Sequence, residues 1–184
     1  MMRKEIRLSG AGGQGMILAG IILAEASLFD PELYVVQTQS YGPESRGGAS
    51  RAEVIFSNEP IDYPKVVKAD ILVCLTEESL EKYGEEVTDE GVVIADDSFG
   101  GGYYHPERAN FYSLPIITTA REEIGLEVTA NMVALGVVDS FLPEIDSSCL
   151  ERAIERRVPQ GTEEKNLAAF QAGQELLANV IEKD

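Results

Sequence analysis

The stretch RLSGAGGQGMILAG, Arg7 to Gly20, sets the reading of this chain. An apolar run ending near Leu8 meets four glycines within six residues, and an apolar helix follows at once. Gly10, Gly12 and Gly15 fit the Gly-x-Gly-x-x-Gly spacing of a dinucleotide-binding turn between a strand and a helix. In that turn the first glycine allows the bend, the second lets backbone approach a ligand, and the third allows close helix–strand packing. Free N–H groups from Gln14 to Ile17 can hold an anion at the helix start, with Gly13 completing the turn.

One part of a nicotinamide site is missing. Such a site needs an acid at the end of the second strand for the ribose hydroxyls. Here that strand ends Gln37, Thr38, Gln39, Ser40, and Asp30 and Glu32 precede it, at the wrong end. Three readings of the turn stay open: an ordinary dinucleotide, the phosphate of another ligand, or a turn used for packing alone.

Working outward, KEIRLSG reads as a first strand, 14–29 as a helix apolar around most of its circumference, and 33–39 as a second strand. Residues 49–57 alternate Ala52, Val54, Phe56 with Arg51, Glu53, Ile55, as expected of an antiparallel strand with one wetter face. Residues 70–75 form a compact apolar strand. The helix after it has Thr76 as candidate cap and Gly84 at its end. A strand at 91–97 and a short one around 114–118, with Pro115 at its start or edge, complete the sheet. Helices follow at 128–142, at 147–158 behind an Asp146 or Ser147 cap, and from Gly161–Thr162 onward, with Glu163 and Glu164 at the positive end. The expectation is a single α/β domain over 1–184. It has a mainly parallel sheet flanked by helices, one β-hairpin at 33–57 and a helical C-terminal third, packed on the sheet or extended toward a partner.

Composition narrows the function. The net charge of −17 opposes binding to nucleic acid or to anionic membranes. No apolar run approaches the roughly 18 residues of a membrane span, and the basic N-terminus does not read as a signal peptide, so a cytoplasmic protein is expected. At 184 residues a chain buries about 70% of its unfolded surface, so no disulfide or metal staple is required. Cys74 reads as core, Cys149 is remote from it, and the lone His105 has no ligand cluster around it, so neither a cluster nor a metal is expected here. No catalytic set accompanies the glycine turn. Asp96 and Asp97 end a strand and read first as a cap and turn.

The second dense signal is the loop SYGPESRGG, 40–48. Tyr41, Gly42, Gly47 and Gly48 surround Arg46, whose guanidinium suits a carboxylate or phosphate; the plainer alternative is a surface pair with Glu44. The loop would lie near the glycine turn if the first two strands were adjacent and parallel.

Together, SGAGGQGMILAGIILAEA (9–26) and QTQSYGPESRGGASRAEVIFSNEPIDYP (37–64) resemble the gamma subunit of 2-oxoacid:ferredoxin oxidoreductases. The form SYGPESRGG is most similar to the 2-oxoglutarate type, and ADILVCLTEESLEKY and TANMVALG extend the similarity over nearly the whole chain. The resemblance implies a complex that converts a 2-oxoacid and coenzyme A to acyl-CoA, carbon dioxide and reduced ferredoxin. Thiamine diphosphate, magnesium and iron–sulfur clusters would sit in alpha and beta partner subunits, with delta as an option, and ferredoxin would be reached through the complex. No cofactor is then held by this chain alone, which agrees with the lack of a Gly-Asp-Gly thiamine motif and of cluster cysteines. Loops 10–15 and 40–48 would face the catalytic subunits and help position coenzyme A. The rivals are a free-standing NAD(P)- or flavin-binding oxidoreductase and a purely structural assembly subunit. An apolar patch on the isolated chain could also be covered by a homodimer.

Overall fold

A computed structural model describes residues 2–40, 49–99 and 110–181. The strands are β1 (Arg3–Ala11), β2 (Tyr34–Ser40), β3 (Ala49–Ser57), β4 (Ala69–Cys74), β5 (Val87–Asp96) and β6 (Asn110–Leu114). The helices are α1 (Met16–Ser27), α2 (Glu77–Tyr83), α3 (Ile116–Glu122), α4 (Ala130–Asp139), α5 (Ser147–Arg157) and α6 (Glu163–Ile181).

The six strands form one sheet in the order β2-β3-β1-β4-β5-β6. β1, β4, β5 and β6 pair in parallel, and β3 runs antiparallel to both β1 and β2. The expected hairpin is therefore present, but its second strand, not its first, lies beside β1. The first two strands are parallel yet separated by β3.

Alternation along the strands divides the core into two layers. Ile6, Leu8, Val54, Phe56, Ile71, Val73 and Ile94 face the layer built by α1 and α3 to α6. Ile55, Leu72, Cys74, Val93 and Ala95 face α2 and the segment 58–68. The face of β3 expected to be wetter is buried. Glu53 and Ile55 are almost inaccessible, because Arg7 from β1 supplies Glu53 with a partner, Nε donating to Oε1 at 2.9 Å. A charge in an alternating strand marks a wet face only when no neighbouring strand neutralises it.

α1 is buried on several sides, as its all-round apolar sequence demands, and packs against β3 and α5. The helical third folds back onto the domain. Every residue of α4 is buried, enclosed by α1, α3 and α6. Thr76 caps α2 by accepting from Ser79 N–H, and Asp146 caps α5 by accepting from Ser148 N–H. Hydrogen bonding from the Ser148 side chain, and then from its N–H, holds the Asp146 carboxyl below the usual range.

The expected strand at 114–118 is wrong. β6 ends at Leu114, and Ile116 begins α3 with Pro115 at its cap. The β-branched run Ile116–Thr119 misleads by propensity. Asp96, distant in sequence, accepts the Ile117 N–H at 2.7 Å and satisfies the start of a helix there. The helix expected over 128–142 is α4 preceded by a single 3-10 turn, Glu127–Thr129.

Candidate functional site

β1 delivers the glycine turn to the carboxyl end of the parallel strands, where open α/β sheets place ligands. Gln14 N–H donates back to the Ala11 carbonyl at 3.1 Å, and the Gln14 side-chain oxygen accepts the Ala11 N–H at 2.7 Å. Gly13 and Gly15 have positive φ, 96° and 74°. Gly15 is the cap residue of α1; among the described residues no side chain caps this terminus, and no acid lies in its first turn.

The roles of the glycines differ from the expected ones. Gly10 still belongs to the strand. A Cβ there would meet Gln14 Oε1 at 2.5 Å and Leu75 Cβ at 3.3 Å, so it serves close packing rather than the bend. Gly13 and Gly15 make the bend. Close helix–strand packing falls to Gly20, whose Cβ would lie 2.6 Å from that of Ala52. Gly15 is pressed instead against α4, where Asn131 Nδ2 donates to the Gly15 carbonyl at 3.1 Å.

We expect Gly15→Ala to lower stability by about 2–3 kcal/mol, from the left-handed backbone and the displaced Asn131 bond together. Gly13→Ala, with open space around its Cβ position, should lose only about 1–2 kcal/mol. Urea unfolding of the two variants checks the order.

A cavity of about 210 Å³ lies beside the turn, lined by Gly13, Gln14, Ile117, Glu127, Val128 and Ala130. It sits among the starts of α1, α3 and the turn into α4. Asp96 already occupies the start of α3, taking the N–H groups of Ser98 and Ile117. Its reading as a cap and turn residue is correct. Partial burial, then the Asp96 charge, push the neighbouring Asp97 carboxyl upward. Glu127 is tied to Arg121 at 2.7 Å. Among the described residues the starts of α1 and α4, both beside the cavity, have neither a side-chain cap nor an acid in the first turn. A larger groove of about 620 Å³, with Lys4, Lys68, Asp70 and Glu90 among its lining, lies at the opposite end of the strands.

Three contacts that sequence spacing did not reveal hold this corner together. Ser50 Oγ donates to the Gly10 and Ala11 carbonyls at 3.2 and 3.3 Å. Ser9 Oγ reaches Ser79 Oγ at 2.9 Å, joining β1 to the first turn of α2. Asn131 clamps Gly15 as described. Isolated serines and an asparagine carry no periodic signal, so only the fold could find them. Of the predicted site, Gly10, Gly12, Gly13, Gln14 and Gly15 gather here. Tyr41, Gly42, Arg46, Gly47 and Gly48 lie outside the described residues, as does His105. The strand leaving that loop begins at Ala49, opposite Ala11 in register. The chain therefore re-emerges from the loop beside the glycine turn, although by an antiparallel route.

This arrangement also weakens the dinucleotide reading. The start of β3, not the end of β2, lies beside β1, and it brings Ser50 rather than an acid. Cys74 and Cys149 lie on opposite faces of the sheet, so they cannot share a cluster. Burial pushes the Cys74 thiol far up, against a smaller opposing pull from Arg7. Among the described residues no group of three or more metal-ligating side chains occurs, and no helix is long and apolar enough to cross a membrane.

The class is an α/β sheet with a reversed third strand and a glycine turn at the carboxyl end of its parallel strands. The chain belongs to the pyruvate ferredoxin/flavodoxin oxidoreductase family, whose model matches residues 5–176. It is 49% identical over 95% of its length to 2-oxoglutarate synthase subunit KorC of Methanocaldococcus jannaschii, covering 94% of that protein. The corresponding subunit of Methanothermobacter marburgensis is 46% identical, with 96% and 97% of the two chains covered. Among solved structures it is similar to the keto/oxoacid ferredoxin oxidoreductase gamma subunit from Geobacter sulfurreducens PCA. The identity is 42%, the TM-score 0.86, and 97% and 98% of the two chains are covered.

Proposed function

We propose that this chain is the gamma subunit of a cytoplasmic 2-oxoglutarate:ferredoxin oxidoreductase, and that its glycine-turn end helps position coenzyme A against the catalytic subunits. The reaction cleaves the bond between the carboxylate and the oxo carbon, and the acyl group passes to the coenzyme A thiol. Carbon dioxide leaves, and the two electrons released pass singly to two ferredoxins. Thiamine diphosphate, when bound in the partner subunits with magnesium, supplies the carbanion chemistry, and iron–sulfur clusters there carry the electrons. The two cysteines of this chain, on opposite sheet faces, fit neither role. Alpha and beta subunits, with delta as an option, are the expected partners.

The observation that carries the coenzyme A reading is the uncapped start of α1, with Gly13 and Gly15 opening the backbone toward the neighbouring cavity. Main-chain N–H groups at such a terminus attract phosphate without any basic side chain. That matters in a chain carrying 32 acids and 15 lysines and arginines, whose overall field repels anions. The re-entry of β3 at Ala49, beside Ala11, supports a role for Arg46 close to this terminus. The choice of 2-oxoglutarate rests on similarity to the two 2-oxoglutarate synthase subunits.

Arg46→Ala in the assembled complex tests the reading. A lost charge-assisted contact should raise the Michaelis constant for coenzyme A by about tenfold or more, with that for the oxoacid unchanged. If neither coenzyme A kinetics nor assembly changes, the reading fails. Loss of assembly with normal kinetics in the residual complex would make the loop an interface anchor, the purely structural alternative.

A further inference from the structure

α4 is apolar almost throughout, ANMVALGVVD, and every residue of it is buried. Asn131, in its first turn, is 3% exposed. Its Nδ2 donates to the Gly15 carbonyl at 3.1 Å, while its Oδ1, among the described residues, has no hydrogen-bond partner. A buried acceptor left unpaired costs stability, and it calls for an explanation. Satisfying Gly15 does not supply one. The Gly15 carbonyl already accepts the Ala19 N–H at 3.1 Å, the first bond of α1. An apolar side chain at 131 would remove the orphaned oxygen and match the rest of the helix. As a brace for the fold, the amide is redundant at one end and unfavourable at the other.

We infer that Asn131 is a positioning residue for the anion-holding start of α1. The peptide between Gly15 and Met16 is planar and trans, so its C=O and N–H point opposite ways. Gly15, at φ 74° and ψ 17°, has the backbone freedom to turn that plane, and one intrahelical bond restrains it only in part. The second bond comes from a helix enclosed by α1, α3 and α6, and it fixes the plane. With the carbonyl drawn to Asn131 and Ala19, the Met16 N–H is held pointing out of the helix start, where main-chain donors have no partner within the helix. Donors held in place beforehand bind an anion better than donors that must be ordered on binding. An amide suits this task because it donates without bringing a charge to the site. The inference rests on the coenzyme A reading of the glycine turn, and adds to it a residue that acts through Gly15 rather than on the ligand.

The test uses the assembled complex. Asn131→Ala should raise the Michaelis constant for coenzyme A by about tenfold, with kcat and the Michaelis constant for the oxoacid unchanged. Its melting temperature should fall by no more than about 4 °C, since removal of the orphaned oxygen offsets the lost bond. Asn131→Asp keeps the shape, removes the donor and places a negative charge beside Gly15, so it should raise the coenzyme A constant further. A large drop in melting temperature with unchanged coenzyme A kinetics would make Asn131 a structural brace and overturn the inference. So would wild-type coenzyme A kinetics in both variants. Arg46→Ala in the same assay separates the two ideas. If it raises the constant while neither Asn131 variant does, only the positioning role falls. If none of the three raises it, the coenzyme A reading falls as well.

Discussion

Gly136→Val is expected to leave no cooperatively folded protein, and Gly136→Ala should lose about 3 kcal/mol or more. α4 and α6 cross where Gly136 faces Gly173. A Cβ on Gly136 would overlap the Phe170 carbonyl oxygen and stand 2.9 Å from the carbonyl carbon and 3.0 Å from Gln174 N. A Cβ on Gly173 would overlap the Val133 carbonyl in the same way and stand 3.0 Å from Gly136 Cα. These neighbours are main chain inside two helices, so no rotamer change relieves the clash. The helices would have to separate, and α4 is buried on every side. A domain holds only about 5–15 kcal/mol in total, so prying apart its central helix pair consumes most of it. Urea unfolding followed by circular dichroism measures the alanine variant. An alanine midpoint equal to wild type would show that the crossing is looser than the structure has it. The effect on function would be indirect but severe, because Asn131, which clamps Gly15, sits in the first turn of the same helix.

The second large effect is expected at Arg7. Its guanidinium is 2% exposed and lies between β1, β3 and the segment before β4. Nε donates to Glu53, the terminal nitrogens reach Glu86 and the Val66 carbonyl, and the guanidinium carbon lies 4.8 Å from the Tyr83 ring centroid. Arg7→Met removes the charge and leaves Glu53 buried with Arg51, at 3.6 Å, and the Thr38 hydroxyl, at 3.4 Å, as its remaining partners. Breaking a buried pair in this way costs about 3–5 kcal/mol, mainly as the desolvation of the orphaned carboxylate. Glu86, half exposed, returns to water at little cost.

Adding Glu53→Leu should recover most of the loss, since a well-packed apolar pair replaces a buried ion pair at little cost. Thermal melts of the single and double variants check the order. A double variant no more stable than Arg7→Met would mean that the buried carboxylate is not the source of the loss.

Both predictions rest on contacts that the sequence concealed. Arg7 lies inside the stretch that opened the reading, yet nothing in RLSG says that its side chain is buried. Its partner Glu53 arrives from a strand 46 residues later, and it is the antiparallel insertion of β3 that makes them neighbours. The same insertion explains why the condition placed on the 40–48 loop was mistaken while its expected neighbourhood held for the chain leaving it: the first two strands are not adjacent, but Ala49 faces Ala11. At 114–118 local propensity pointed to a strand, and a distant carboxylate, Asp96, decided for a helix.

By itself the sequence determined what is written in local pattern. The strand–glycine–helix start, the apolar runs of β4 and α1, the caps at Thr76 and Asp146 and the hairpin of 33–57 follow from side-chain period and backbone freedom, which act over a few residues. The family was legible for the same reason, because its two motifs are contiguous. Only the tertiary structure decided strand order, the burial of the Arg7–Glu53 pair, the Gly136–Gly173 crossing and the assignment of Gly15 to Asn131. Each of these joins segments far apart along the chain. Whether a charge, a glycine or an asparagine is a core element or a surface one depends on what another segment brings to meet it, and no local period records that.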